Sequence, residues 1–162
     1  MQELVIGLGS NLGNRRENLE KAILLLDKKI GPVLSVSTFI ETEPWGFVSN
    51  HPFLNGAIKI GLDAGLNNRE TWKPSEILLI LNTIEADFGR IRTGEYADRV
   101  IDLDILFYGN EIINEPDLVV PHPKLHLRDF VLIPLMEICP DQIHPVFGKT
   151  VRELWMEKGV KA

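Results

Sequence analysis

Two aspartates, Asp102 and Asp104, stand two residues apart in Arg99-Val-Ile-Asp-Leu-Asp-Ile-Leu-Phe-Tyr-Gly109. The apolar residues around them, Val100, Ile101, Leu103, Ile105, Leu106 and Phe107, are β-favouring types, so the stretch reads as a strand. Side chains of a strand alternate faces, which projects both carboxylates from one face. An oxygen-only pair on a rigid strand suits Mg²⁺, a hard cation that completes its shell with phosphate oxygens and water. Opposite a triphosphate, such ions neutralise charge and orient the reacting group. Spacing alone leaves a solvated face with ordinary exposed acids equally open. The neighbourhood shifts that balance. Arg90, Arg92 and Arg99 flank the strand on its incoming loop, and His122 and Arg128 follow the outgoing stretch. Any one arginine reads best as a surface salt bridge, but the group suits a polyphosphate, whose oxygens match guanidinium forks.

A second group is ring-binding in character. Phe53 and Asn55 share a strand face by the same rule, Trp45 lies in the preceding loop, and Phe130 starts a late helix. Aromatics beside a side-chain amide suit a flat, hydrogen-bonding heterocycle. A purely structural role for Phe53 and Phe130 in the core is equally open.

The elements that must position these residues follow in order. Glu3–Leu8 reads as a buried strand, and Gly9–Gly13 as a turn. Asn14 with Glu17 makes a capping box that opens a helix carrying Leu19, Ala22, Ile23 and Leu26, stopped by Gly31-Pro32. Val33–Thr42 reads as one strand with Leu34, Val36, Thr38 and Ile40 on one face, and Phe53–Leu62 as the next. Asp63–Lys73 is a polar connection. Pro74 starts a second helix with the stripe Ile77, Ile80, Leu81, Ile84 and Phe88, and Gly89 is its cap. The loops Glu43–Pro52 and Gly89–Asp98, both long and beside the site, read as lids. The resulting order βαββαβ predicts an α+β, ferredoxin-like antiparallel sheet with two helices on one face. An extended stretch Ile112–Val120, a helix Asp129–Ile138 containing Pro134, and a terminal helix capped by Thr150 and Glu153 follow.

Length and charge bound the function. The 162 residues suit a single domain, 1–162, and a net charge of −6 without a basic run argues against nucleic acid or an anionic membrane. Neither a signal peptide nor a membrane span is expected, and Cys139 is the only cysteine, so the expectation is a cytoplasmic protein. Gly7-Leu-Gly9-Ser-Asn-Leu-Gly13 is one residue too long for a dinucleotide fingerprint, and Gly148-Lys-Thr150 lacks the rest of a P-loop. A thiolate zinc site is impossible with one cysteine, and His122 with His126 is a weak pair.

The chain resembles the 6-hydroxymethyl-7,8-dihydropterin pyrophosphokinase family of folate biosynthesis over essentially its whole length. The resemblance rests on Ile6-Gly-Leu-Gly-Ser-Asn-Leu-Gly13, Glu43-Pro-Trp-Gly46, Pro52-Phe-Leu-Asn55, Glu85 with Gly89-Arg-Ile-Arg92, Arg99–Asp104, Val120-Pro-His-Pro123 and Arg128-Asp-Phe130. It implies transfer of pyrophosphate from ATP to the pterin hydroxymethyl oxygen, with release of AMP and two Mg²⁺ ions. By the same resemblance Asp102 and Asp104 ligate the metal, and Asp102 is also a candidate acceptor of the hydroxyl proton. Arg90 and Arg92 act in a mobile loop as catalytic residues. Thr42, Trp45, Phe53, Asn55 and Phe130 take the pterin. Glu85, Arg92, Tyr96, Arg99, His122 and Arg128 take ATP. The partners implied are these two small molecules, bound by a monomer. Two departures stand out: Glu95-Tyr-Ala-Asp98 replaces the Arg-Trp-Gly-Pro of many relatives, and Asp117 and Val119 stand where some carry Arg and Thr. Two other classes, a small-ligand regulatory module and an RNA binder, leave the acid pair unexplained or conflict with the acidic charge.

Overall fold

The computed structural model describes residues 2–47, 49–62, 72–89 and 98–160. Most of the polar connection expected at 63–73 lies outside them, as do Arg90, Arg92, Tyr96 and most of the lid expected at Gly89–Asp98. Strand β1 (Glu3–Ser10) leads to helix α1 (Arg15–Lys29), strands β2 (Val33–Val36), β3 (Ile40–Thr42) and β4 (Phe53–Gly61), helix α2 (Pro74–Asp87) and strand β5 (Asp102–Tyr108). These strands form one sheet in the order β2-β4-β1-β5, with β3 also on β4, and every pairing is antiparallel. A hairpin of β6 (Ile113–Glu115) and β7 (Leu118–Val120) follows, then helix α3 (Asp129–Ile138), a second hairpin of β8 (Ile143–His144) and β9 (Lys149–Thr150), and helix α4 (Val151–Val160).

The helix ends follow local chemistry. At α1 the Asn14 side chain accepts from the Glu17 N–H at 3.1 Å while its amide donates to the Glu17 carboxylate at 3.0 Å, a reciprocal cap. At α4 the Thr150 hydroxyl accepts from the Glu153 N–H and the Glu153 carboxylate accepts from the Thr150 N–H, each at 3.1 Å. Pro74 opens α2, and Gly89 beyond its end takes a left-handed φ of 90°.

The sheet is covered on both faces. Leu4, Ile6 and Leu8 of β1, Ile58 and Ile60 of β4 and Leu103 and Ile105 of β5 pack against Leu19, Ala22 and Leu26 of α1 and Ile77, Leu81 and Ile84 of α2. On the other face Val5, Ala57, Leu106 and Phe107 pack against Val131, Leu132 and Leu135 of α3 and Val151 and Leu154 of α4. The C-terminal helices are therefore the cover of the second face. Ile6 pairs with Ile105 and Val5 with Phe107, so Leu106 is an extra residue in β5. That bulge lets Leu106 and Phe107 both reach the second face, which strict alternation forbids.

Three expected elements differ. Val33–Thr42 is two strands, because the Ser37 N–H donates to the Ala57 carbonyl and the Ser37 hydroxyl accepts from the Ala57 N–H, each at 2.9 Å. A side chain thus takes a ladder position and ends the regular pairing. Leu34 and Val36 are exposed, at 45% and 46%, because β2 is the edge strand and Val33 is the residue packed on the core. Ile112–Val120 is a hairpin turned at Pro116-Asp117 rather than one extended stretch. The aspartate strand begins at Asp102, not Arg99.

Strand β5 is at an edge of the sheet, so the amide of Leu103, between the two aspartates, needs an acceptor from outside the ladder. Glu85 of α2, only 1% exposed, provides it, accepting the Leu103 N–H at 3.0 Å. Glu85→Ala should destabilise the protein by about 1–3 kcal/mol by leaving a buried amide unpaired. Chemical denaturation of the two proteins measures that difference.

Candidate functional site

The site begins with two residues that have no side chain. Gly7 and Gly9 lie on the second face of β1, toward the end that α3 and α4 leave open. Gly9 pairs with Asn55 of β4 on one side and with Asp102 of β5 on the other, and Gly7 pairs with Ala57 and Asp104. A Cβ at Gly9 would lie 2.7 Å from the Asn55 Oδ1, too close for any ordinary contact. Bare backbone therefore separates the amide from the two carboxylates and forms a shallow floor bounded by Gly7, Gly9, Asn55, Asp102, Asp104 and Phe130.

Above this floor a cavity of about 270 Å³ opens, large enough for a small ligand. Its lining contains Thr42, Trp45, Phe53, Asn55 and Phe130 together with Arg99, Asp102, Asp104, His122 and Arg128. All ten come from residues singled out in the sequence. Glu43, Phe47, Pro123 and Lys124 are the other described residues of the wall. Lys124 was visible only as the neighbour of Val120-Pro-His-Pro123, and Phe47 only as an aromatic in the same loop as Trp45. Glu85 is not among the described residues of the cavity wall; it is buried on α2, where its carboxylate accepts the Leu103 N–H of the aspartate strand.

The ring side is held by short bonds. The Asn55 Nδ2 donates to the Thr42 hydroxyl at 2.6 Å, which leaves the carbonyl oxygen of that amide turned toward Gly9. Phe53 meets Phe47 edge to face at 6.2 Å. The Arg128 guanidinium lies 4.4 Å from the Trp45 ring centre and 5.5 Å from that of Phe130, and the Lys124 ammonium lies 5.2 Å from Trp45. Trp45 is thus a platform for two cations, whose charge the ring face stabilises.

On the charged side, the Arg99 Nη1 lies 3.0 Å from the Asp102 Oδ1. Two carboxylates about 6.5–7 Å apart on one strand face repel by about 2 kcal/mol at an effective dielectric near 20. The Arg99 contact offsets part of that repulsion in the ligand-free protein. His122 accepts the Lys124 N–H at its Nδ1, 3.2 Å away, so the neutral ring carries its proton on Nε2 and is a donor. Burial, reinforced by the Arg128 and Lys124 charges and opposed by Asp102, holds its pKa at about 4, well below the usual 6.5. The chemistry available is recognition of a flat polar heterocycle at one end and of phosphate oxygens and a hard cation at the other. Among the described residues no helix is long and apolar enough to cross a membrane.

An antiparallel α+β sheet that brings an acid pair, cations and aromatic rings into one cavity over bare backbone defines a small-molecule binding site. The fold is also that of the solved Plasmodium falciparum HPPK-DHPS wild type with SDX-DHP, with a TM-score of 0.76 at 18% identity over 97% of this chain. This chain spans 44% of that one. In sequence, residues 5–140 match the family model described as 7,8-dihydro-6-hydroxymethylpterin-pyrophosphokinase (HPPK), and the chain belongs to that family. The 2-amino-4-hydroxy-6-hydroxymethyldihydropteridine pyrophosphokinase of Porphyromonas gingivalis is 41% identical over 149 residues, covering 90% of this chain and 95% of its own length. The protein of the same name from Aquifex aeolicus is 37% identical over 161 residues, covering 99% of this chain and 95% of its own.

The low His122 pKa gives a signed pH dependence. Between pH 6.5 and about 4 the unfolded chain binds a proton at this position that the folded protein does not. Stability should therefore fall as pH drops through that window. His122→Asn should flatten the fall, as read from denaturant midpoints at pH 7, 5.5 and 4.5 without nucleotide.

Proposed function

We propose that this protein transfers the pyrophosphoryl group of ATP to the hydroxymethyl oxygen of 6-hydroxymethyl-7,8-dihydropterin and releases AMP, in folate biosynthesis. Membership of the HPPK family supports the reaction, and the pairing of Gly9 with Asn55 on one side and Asp102 on the other carries the site. It puts a ring-reading amide and a carboxylate pair across one bare glycine. The strand order β2-β4-β1-β5 supports a ferredoxin-like core. The reading also takes residues 1–162 as one catalytic unit, a cytoplasmic monomer.

In this reading the pterin ring enters between Phe53 and Phe130, with its amino and ring N–H groups donating to the Asn55 oxygen that Thr42 holds in place. Trp45 orients Arg128 rather than stacking on the ring. Arg99, His122 and Arg128 take the ATP phosphates, joined by Lys124, with Arg90, Arg92 and Tyr96 contributing from the loop before β5. The hydroxymethyl oxygen attacks the β-phosphorus, the bond from that phosphorus to the α–β bridging oxygen breaks, and AMP leaves with the bridging oxygen. Asp102 accepts the hydroxyl proton.

Asp102 and Asp104 fit Mg²⁺, because both offer carboxylate oxygens to one cavity and a phosphate-bound Mg²⁺ needs only one or two protein ligands. When bound, two Mg²⁺ ions neutralise phosphate charge as it develops. The direct test incubates the protein with ATP, Mg²⁺ and the hydroxymethyl dihydropterin and identifies the nucleotide formed. AMP is expected, and ADP would mean an ordinary kinase.

Two substitutions separate the halves of the site. Asn55→Ala should weaken pterin binding by about 1–3 kcal/mol, since a ligand donor is left unpaired, with ATP affinity unchanged in calorimetry. Asp104→Asn should lower turnover by orders of magnitude while leaving the metal-free fold equally stable or slightly more so, because repulsion within the pair is relieved. Asp102→Asn should lower turnover equally, and it also gives up the 3.0 Å contact with Arg99. An active but destabilised Asp104→Asn protein would place the aspartates in a structural role.

A further inference from the structure

We propose that Asp98 is a positioning residue that ties the loop between β3 and β4 to the start of β5, so that the ring side and the phosphate side of the cavity are set together. This inference rests on the reaction proposed above.

The loop joins Thr42 to Phe53 and contributes Glu43, Trp45 and Phe47 to the cavity. Its last carbonyl, that of Pro52, is held by the Arg15 Nη1 at 2.9 Å. Its middle is held by Asp98. The Asp98 Oδ1 accepts from the Ser49 hydroxyl at 2.6 Å and from the Asn11 Nδ2 at 2.7 Å. That same Asn11 nitrogen donates to the His51 carbonyl at 3.0 Å, and the Ser49 hydroxyl accepts from the His51 N–H at 3.1 Å. Bonds to a carboxylate at these lengths are of the stronger, charge-assisted kind.

The other side of Asn11 reads the start of β5. Its Oδ1 accepts the Arg99 N–H at 2.7 Å, and its own N–H donates to the Arg99 carbonyl at 3.1 Å. Asn11 is 3% exposed, so this amide is fixed by its neighbours rather than by solvent. Arg99 in turn holds Asp102 at 3.0 Å. The path from Trp45's loop to the metal-binding face thus runs through Ser49 and His51, Asp98 and Asn11, then Arg99. Every link is a hydrogen bond or ion pair. A displaced loop withdraws partners from both Asp98 and Asn11, and a displaced Arg99 backbone does the same from the opposite direction. The Ser49 bond also holds the Asp98 carboxyl below the usual range, in keeping with a carboxylate that stays charged while it serves as the tie.

Such a tie implies reciprocal coupling: nucleotide at the phosphate side raises pterin affinity by the factor by which pterin raises nucleotide affinity. The experiment measures pterin affinity by calorimetry with and without a non-hydrolysable ATP analogue and Mg²⁺, for the wild type, Asp98→Ala, Ser49→Ala and the double variant. In the wild type the gain should be about 5-fold or more. Each single variant should cut it at least in half, and the double variant should lose no more than either single one, because both remove the same tie. Exchange of the His51 amide in the ligand-free protein should quicken about 10-fold in Asp98→Ala. Ser49 is a small side chain in an exposed loop bond, so its variant keeps the test valid if Asp98→Ala folds poorly. An absent gain in the wild type, an equal gain in the variants, or additive losses would each overturn the proposal. A wild type that forms no AMP would instead overturn the reaction, while the exchange result still reports on the tie.

Discussion

The antiparallel register of β1 against its two neighbours is the constraint on which the site depends. Gly9 faces Asn55 across one ladder and Asp102 across the other, while Gly7 faces Ala57 and Asp104. A one-residue slip on either side would turn the amide or the carboxylates to the opposite face, into the layer of α1 and α2. Burial prevents the slip. Leu4, Ile6 and Leu8 alternate with those glycines and are all nearly inaccessible, so the apolar half of β1 locks the polar half in place. The lack of side chains at Gly7 and Gly9 then becomes a floor instead of a void, because the strands on either side supply its walls.

The cover of the second face explains why the cavity lies where it does. α3 and α4 pack on Val5, Ala57, Leu106 and Phe107, toward one end of the sheet. The bulge at Leu106 brings two consecutive large residues to that end and lets the helices close it. Phe130, in the first turn of α3, marks the edge of the cover and lines the cavity. A further anchor joins α3 to the break between β2 and β3: the Glu137 carboxylate accepts the Thr38 N–H at 2.8 Å and the Thr38 hydroxyl at 2.9 Å. Wall and sheet are thereby held to one another on both sides of the opening.

Electrostatics divide the cavity into two chemistries at short range. Asn55 with Thr42 presents a neutral, oriented amide, whereas Asp102 and Asp104 meet Arg99, Lys124 and Arg128. Cations placed over Trp45 gain from the ring face. His122 stays an uncharged donor because burial and its cationic neighbours outweigh Asp102. In the proposed reading, a phosphate-bearing ligand meets donors here at little reorganisation cost.

Much of this was legible in the residues alone. Period-2 spacing put Asp102 with Asp104 and Phe53 with Asn55, since a strand leaves a side chain only two directions. Capping chemistry marked the starts of α1 and α4 because those bonds are local. The order βαββαβ limited the sheet to few topologies. What sequence could not decide depends on contacts between distant segments. The break at Ser37 requires Ala57 opposite it, and the bond from the Leu103 amide to the Glu85 carboxylate joins a strand to a helix that sequence alone does not bring together. The glycines of β1 read as a turn signal, and only the two ladders around them make them a floor. Asn11, Ser49 and Asp98 are 38 and 49 residues apart along the chain and carry no periodic signal, so their meeting is set by tertiary packing. Local spacing determines which way a side chain points; the packing of the sheet determines what it finds there.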